Sequence, residues 1–220
     1  MSKHRTEMSG VSPPDRPRFV IKSSEPPPAL NLTDAQREGL KGLEREQSIA
    51  PLAKALTVAA FLRMKPASDF MARLPADPRG TVATRARIEA FLTALGLLHL
   101  SKEMVLPEGR YQCYFFGKNE KALEVLLRLD TRDPGYHRET GAAVGIPRTA
   151  IDAWERRGNE NSLLSRDEHV EKFGPELSKF FFFSPSRTHW EEERAWLQLA
   201  VNRIREISPE VYRQVIAESL

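Results

Sequence analysis

The sequence predicts an α+β fold, predominantly α-helical with a small antiparallel β-sheet, and three observations predict it. Apolar residues recur at three- and four-residue spacing in several segments from Leu52 onward. Between Leu97 and Phe116 the pattern changes to alternation around Pro107-Glu108-Gly109, and Phe180 to Phe183 forms one short apolar run. With 220 residues, 40% of them hydrophobic and 29% charged, the chain is long enough to bury a substantial core. Three stretches are expected: residues 1–31 as a disordered Pro-rich tail, 32–96 as a helical N-terminal lobe, and 97–220 as an α+β C-terminal lobe. The two lobes are expected to pack as one unit.

The tail contains Pro13, Pro14, Pro17 and Pro26 to Pro28 with few large apolar groups, so burial there cannot offset the entropy of ordering. Helical order should begin at Thr33-Asp34-Ala35-Gln36, a capping-box pattern. Leu52, Ala55, Leu56, Ala59, Ala60 and Met64 share one helical face, which predicts a helix over 50–64 that stops before Pro66. A brief helix is expected over Ser68 to Leu74, ended by Pro75. After a turn at Pro78-Arg79-Gly80, Ile88, Phe91, Leu92 and Leu95 form a helical stripe closed by Gly96.

The alternating stretch then predicts a β-hairpin with Cys113 on one face as an inert buried thiol. A helix over 119–129 should turn Leu123, Leu126 and Leu127 inward, with Asp133-Pro134-Gly135 as its punctuation. A short helix is expected near Asp167 to Phe173. The phenylalanine run, bounded by Gly174-Pro175 and Pro185, reads as a strand pairing with the hairpin. A long helix over 188–207 follows, with Trp196, Leu197, Ala200, Val201 and Ile204 as its core face, and Ser208-Pro209 starts the last helix.

The net charge of +3 is not spread evenly. Arg63, Lys65, Arg73, Arg79, Arg85 and Arg87 stand against only Asp69 and Asp77 over residues 63–87. A solvated helix face and loop accounts for this concentration, with a phosphate-binding patch as the other reading. No run of about 18 apolar residues occurs, and charge and proline fill the first 14 positions, where a secretory signal needs an apolar stretch. The single cysteine suits a reducing compartment. A cytoplasmic location with no membrane partner is therefore expected.

Glycine-rich phosphate loops, Gly-x-Ser-x-Gly, His-Glu-x-x-His and paired-cysteine metal spacings are all missing from the sequence, so neither catalytic residues, a metal nor a cofactor is assigned. Tyr136, His137 and Glu139 stand together at a helix start, where His137 and Glu139 are chemically capable of proton transfer. Positions two apart diverge on a helix, however, and a solvated first turn also accounts for them. His189 precedes Glu192 and Glu193 at metal-ligand spacing, but two ligands do not make a site. The acidic run also suits the positive end of a helix. These four residues, Tyr136, His137, Glu139 and His189, are the candidate pocket.

The most distinctive stretch runs from Thr140 to Trp154. Gly145 closes one short helix, and Pro147 begins a second, with Ile151 and Trp154 facing back. This grammar resembles a DNA-binding helix-turn-helix over residues 137–157, with small Gly141 allowing the helices to cross closely. The resemblance implies that Arg148, Thr149, Asp152 and Arg156 lie on the groove-facing side of the second helix. Thr140 departs from the aliphatic residue usual there, and Asp152 and Glu155 put negative charge toward phosphates.

From Tyr111 to Tyr212 the order of features also resembles a family of prokaryotic proteins of uncharacterised activity that carry Gly-Tyr-Pro followed by paired cysteines. Here Gly145-Ile146-Pro147 stands in that place, with Thr149 and Ala150 where the cysteines belong, so that resemblance implies a fold and no thiol chemistry. The functional expectation is a non-catalytic binding protein whose recognition element is Gly141 to Arg157. Nucleic acid is the first partner considered. A scaffold for another protein, marked by an exposed patch near Phe180 to Phe183 or Trp190, and an enzyme or small-molecule-binding protein using the candidate pocket are the rivals.

Overall fold

A computed structural model describes residues 30–128, 135–156 and 162–218, so the expected tail over 1–29 and the punctuation at Asp133-Pro134 lie outside the described residues. Among the described residues the chain is mostly helical with one small sheet. Helix α1 (Asp34–Arg45) starts with the expected capping box, in which the Thr33 hydroxyl accepts from the Gln36 amide and the Gln36 side chain accepts from the Thr33 amide. Helix α2 (Pro51–Phe61) buries Ala55 and every residue from Thr57 to Phe61, because it is enclosed by α1, the sheet and two C-terminal helices. Helix α3 (Pro78–Ala94) buries Ile88, Phe91 and Leu92 as the stripe predicts. The expected turn at Pro78 to Gly80 is instead the first helical turn, with Asp77 as N-cap accepting from the Gly80 amide.

Three strands form one antiparallel sheet in the order β1-β3-β2: β1 (Ala67–Arg73), β2 (Leu98–Leu106) and β3 (Gly109–Gly117). The hairpin of β2 and β3 is the predicted one. Strand β1 corrects the helix expected over 68–74. Ser68, Phe70 and Ala72 are buried while Asp69, Met71 and Arg73 are exposed, a two-residue period that only a strand satisfies. β1 is thus the third strand, in register from Ala67 opposite Gly117 to Arg73 opposite Tyr111.

The sheet's inner face carries Phe70 and Ala72 with Tyr114 and Phe116 into the main core, together with α2, α3 and the C-terminal helices. Its outer face receives helix α4 (Glu120–Arg128) at one end, where Ala122 and Leu123 pack with Ala67 and half-buried Phe115. Leu126 is half-buried there as expected, but Leu127 is exposed, because α4 is only nine residues long and meets the sheet along a single narrow face.

Helices α5 (Tyr136–Ala143) and α6 (Arg148–Glu155) follow, then α7 (Arg166–Leu177), which contains the predicted short helix and bends at Gly174, where φ is +79°. Among the described residues the phenylalanine run joins no sheet. Phe180 and Phe182 are buried and Phe181 and Phe183 half-buried, so it alternates as a strand would. The only bridge near it joins Leu163 to Ser186, and the run is an extended connection that lays two rings into the core. Helix α8 (Trp190–Ile207) has Leu197, Ala200, Val201 and Ile204 as its buried face, as predicted. At the start of α9 (Pro209–Ala217), Ser208 makes no side-chain cap. Its hydroxyl donates to Glu44 Oε1 at 2.6 Å and ties α9 to α1 instead.

Candidate functional site

The pair α5 and α6 has the local geometry its glycines require. Gly145 sits at φ +72°, a left-handed conformation that costs a residue with a Cβ about 1–2 kcal/mol. A Cβ there would also meet Pro66 Cδ at 2.6 Å, so the turn rests directly on the segment leading into β1. At Gly141 a Cβ would lie 3.0 Å from Ile151 Cδ1, which is why the two helices cross as closely as they do. Pro147 is the N-cap of α6, so the helix starts at Arg148, one residue later than predicted.

Of the expected groove-facing residues, Thr149 points inward. Its hydroxyl donates at 2.6 Å to Glu193 Oε1 on α8, and Glu193 Oε2 accepts the Ser186 amide at 2.7 Å. Glu193 is 1% exposed, and burial pushes its carboxyl above the usual range despite those donors. In the sequence Glu193 reads both as a helix-end charge and as a metal-spaced neighbour of His189, and this network is missed because its partners stand 44 and 7 residues away.

The charges of α6 are largely paired with one another. Arg148 Nε donates to Asp152 Oδ1 at 2.8 Å, Arg156 Nε donates to the Asp152 carbonyl at 3.2 Å, and Arg138 of α5 is held by Glu155. Arg157 lies outside the described residues.

The candidate pocket residues divide into two groups. Half-buried Tyr136 and exposed His137 are edge-to-face neighbours with ring centres 5.3 Å apart, and His137 is similarly placed 5.9 Å from Trp154. Glu139 is exposed on the same helix. His189, also exposed, is the N-cap of α8. Its Nδ1 lies 2.9 Å from the Thr188 hydroxyl, and its amide donates to Ser186 Oγ at 2.9 Å. Among the described residues no group of three His, Cys, Asp or Glu side chains is placed to hold a metal. Cys113 is buried and its thiol is pushed up to about 11, chiefly by that burial, so it is a poor nucleophile.

Two concavities lie elsewhere. A cleft of about 680 Å³ at one end of the sheet is lined by Glu46, Ser48, Arg73, Thr84, Arg87 and Arg110, among others. In it, Arg87 Nε donates to Glu46 Oε2 at 3.0 Å and its Nη2 to Thr84 Oγ1 at 3.2 Å, while Glu46 Oε1 takes both the amide and the hydroxyl of Ser48. A smaller groove of about 420 Å³ is lined by His169 and Phe181 to Phe183. The His169 ring is 4.4 Å from that of Phe173 and 3.8 Å from that of Phe181, its Nε2 has no hydrogen-bond partner, and burial lowers it to about 4. Neither hollow includes Tyr136, His137, Glu139 or His189.

The most unusual surface is β2. None of its nine residues is buried, and among the described residues it pairs only with β3. Leu98, Leu100 and Met104 project to the outer face, 51%, 51% and 36% exposed, and Met71, at 47%, is on the same face across β3. Lys102 interrupts the row opposite Cys113 and makes no ion pair with the described residues. On the other face Glu103 is already engaged by Arg110 and Arg85. The expected patch at Phe180 to Phe183 is not the main apolar exposure. That signal lay instead in Leu98, Leu100 and Met104, which read in sequence as ordinary alternation of a half-buried strand.

No helix of the described residues is long and apolar enough to cross a membrane. Comparison of the chain with protein-family models, with curated proteins and with solved structures finds no match.

Proposed function

We propose that this chain is an interaction protein that takes an extended segment of a partner protein onto the free edge of β2 as a fourth strand. The observation that carries the reading is a nine-residue edge strand with no buried residue and three large apolar side chains along one face. Such an edge offers a row of unpaired backbone donors and acceptors, which natural sheets ordinarily cover or blunt. Strand addition satisfies them, and pockets beside alternate side chains select the partner.

The chemistry of the occupant follows from the outer face. Apolar side chains are needed beside Leu98, Leu100 and Met104, with a carboxylate between them for Lys102, which has no ion pair among the described residues. In this reading α5 and α6 form a packing unit. Thr149 is tied to Glu193 and the arginines Arg138 and Arg148 are held by carboxylates, which leaves little free cationic surface for phosphates.

The test is a titration of the full chain with a synthetic nonapeptide of alternating apolar and polar residues carrying a central glutamate. Saturable binding with Kd below about 1 mM, lost when Leu100→Lys and Ser101→Pro are introduced, supports the reading. Absence of binding, or binding indifferent to both substitutions, overturns it. Fluorescence anisotropy with random duplex DNA at low salt adds a second arm. Kd below about 10 μM, weakened by Arg148→Ala and Arg156→Ala, favours a nucleic-acid partner instead.

A further inference from the structure

We propose that the groove beside the phenylalanine run binds a small neutral aromatic alcohol, its ring against Phe181 and Phe183 and its hydroxyl on the imidazole of His169. This goes beyond strand addition at β2 and shares no residue with it. The groove has a volume of about 420 Å³, in the range of small-molecule sites, and the rings of Phe181 to Phe183 with Leu164 carry its apolar wall. Offset and edge-on contacts with those rings favour an aromatic occupant over an aliphatic one of equal size.

The polar end of the site is His169, which also lines the groove. Only 3% of the residue is exposed, yet its ring makes no hydrogen bond with a described residue, and Nε2 is enclosed without a partner. Its ring neighbours are Phe173 and Phe181, with centres 4.4 and 3.8 Å away, and neither supplies a donor or an acceptor. Buried imidazole nitrogens are normally satisfied. A hydroxyl both donates and accepts, so it satisfies this one in either tautomer. Phe173 is fixed in the core, and half-buried Phe181 is the wall that yields for a hydroxyl to reach Nε2, a side-chain change of the kind binding commonly brings.

The occupant is neutral because nothing inside the groove presents a charge to it. Burial keeps the imidazole itself uncharged at neutral pH, with its titration lowered to about 4. Arg166 carries the charge on the lining, and it is exposed, so an anion paired with it would sit at the mouth in solvent. Ser165 Oγ accepts the Glu168 amide, and Glu168 Oε2 in turn takes the Ser165 amide at 2.8 Å and the Arg187 guanidinium at 2.7 Å. Backbone bonds fix the wall, the Leu164 amide donating to the Pro185 carbonyl at 3.1 Å and the Arg187 amide to the Ser162 carbonyl at 2.8 Å. A wall held in this way costs little to order on binding.

Titration of the full chain with phenol, toluene and benzoate in separate arms, followed by the imidazole nitrogen chemical shifts in NMR, tests the site. The shifts of His169, assigned through its backbone, are read in the native chain and need no variant. Phenol should bind saturably and move them. Toluene, which keeps the ring and lacks the hydroxyl, should bind about three- to tenfold more weakly, the worth of one net hydrogen bond, and should leave those nitrogens unbonded. His169→Phe should abolish the preference for phenol over toluene, whereas Phe183→Ala should weaken both ligands and keep the preference. Equal affinity for phenol and toluene, phenol binding that leaves the His169 nitrogens unmoved, or a preference retained in His169→Phe overturns the proposal. So does binding of benzoate alone, or of none of the three.

Discussion

β1 and β2 each pair with β3 along one side only, yet they meet their surroundings in opposite ways. β1 buries four of its seven residues, and both its ends are tied down. The turn at Gly145 presses on Lys65 and Pro66 before the strand, and the Arg73 amide is taken by Ser48 at its far end. β2 buries none of nine residues and carries its leucines on an open face. The same sheet therefore has one edge that is part of the body and one that is free to work. An edge packed against the chain's own body serves stability, and an edge left open at this length is the place where, under the proposed function, a partner strand would add.

The largest expected effect lies on the closed side. Phe116 of β3 is fully buried on the inner face, its ring 5.2 Å from that of Phe70 on β1, and Phe116→Ala should cost about 3–5 kcal/mol in chemical unfolding. A loss under about 1 kcal/mol would mean that the body packs much less tightly around the sheet than the comparison requires.

Next comes acid. His169 is 3% exposed and, held neutral by burial, titrates at about 4 in the folded chain against an ordinary value near 6.5. Its folded value is depressed, so the unfolded chain binds the extra proton first. Its contribution is full above about pH 6.5 and is lost as pH falls toward 4, by about 3 kcal/mol at most. Urea unfolding at pH 7 and pH 4.5 should show that loss, and His169→Phe should remove that pH dependence. An acid loss identical in the variant would assign it elsewhere.

Gly145→Ala should cost about 2 kcal/mol, from the left-handed backbone and the contact with Pro66, and shift the thermal midpoint accordingly. The smallest effect is expected on β2. Leu98→Ser with Leu100→Ser should move stability by no more than about 0.5–1 kcal/mol, because neither side chain leaves a core. A loss approaching that of Phe116→Ala would erase the distinction between the two edges.

What the sequence disclosed divides along the same line. The hairpin, the capping box at Thr33 and the turn at Gly145 depend on residues within a few positions of one another, and all three were legible. β1 was not, because Ala67, Phe70, Met71 and Leu74 fit helical spacing as well as Ser68, Phe70, Ala72 and Leu74 fit a strand. Only pairing with β3, 38 to 50 residues later, decides between them. The phenylalanine run misled for the complementary reason, since its alternation is real but no strand stands beside it. Arg73, Arg87 and Arg110 reach the rim of the larger cleft from three elements, so that hollow has no local signature, although the basic stretch over 63–87 contains two of them. Openness of β2 is likewise a property of what fails to cover it.

Amide hydrogen exchange on the full chain at low concentration, without and with the alternating nonapeptide, tests the central claim most directly. In the free protein, alternate amides of β2 should exchange rapidly while the Arg73 amide is protected, and the peptide should slow the same alternate amides of β2 and no others in the sheet. Protection along the outer side of β2 in the free monomer, or slowing by the peptide anywhere but β2, would contradict the account.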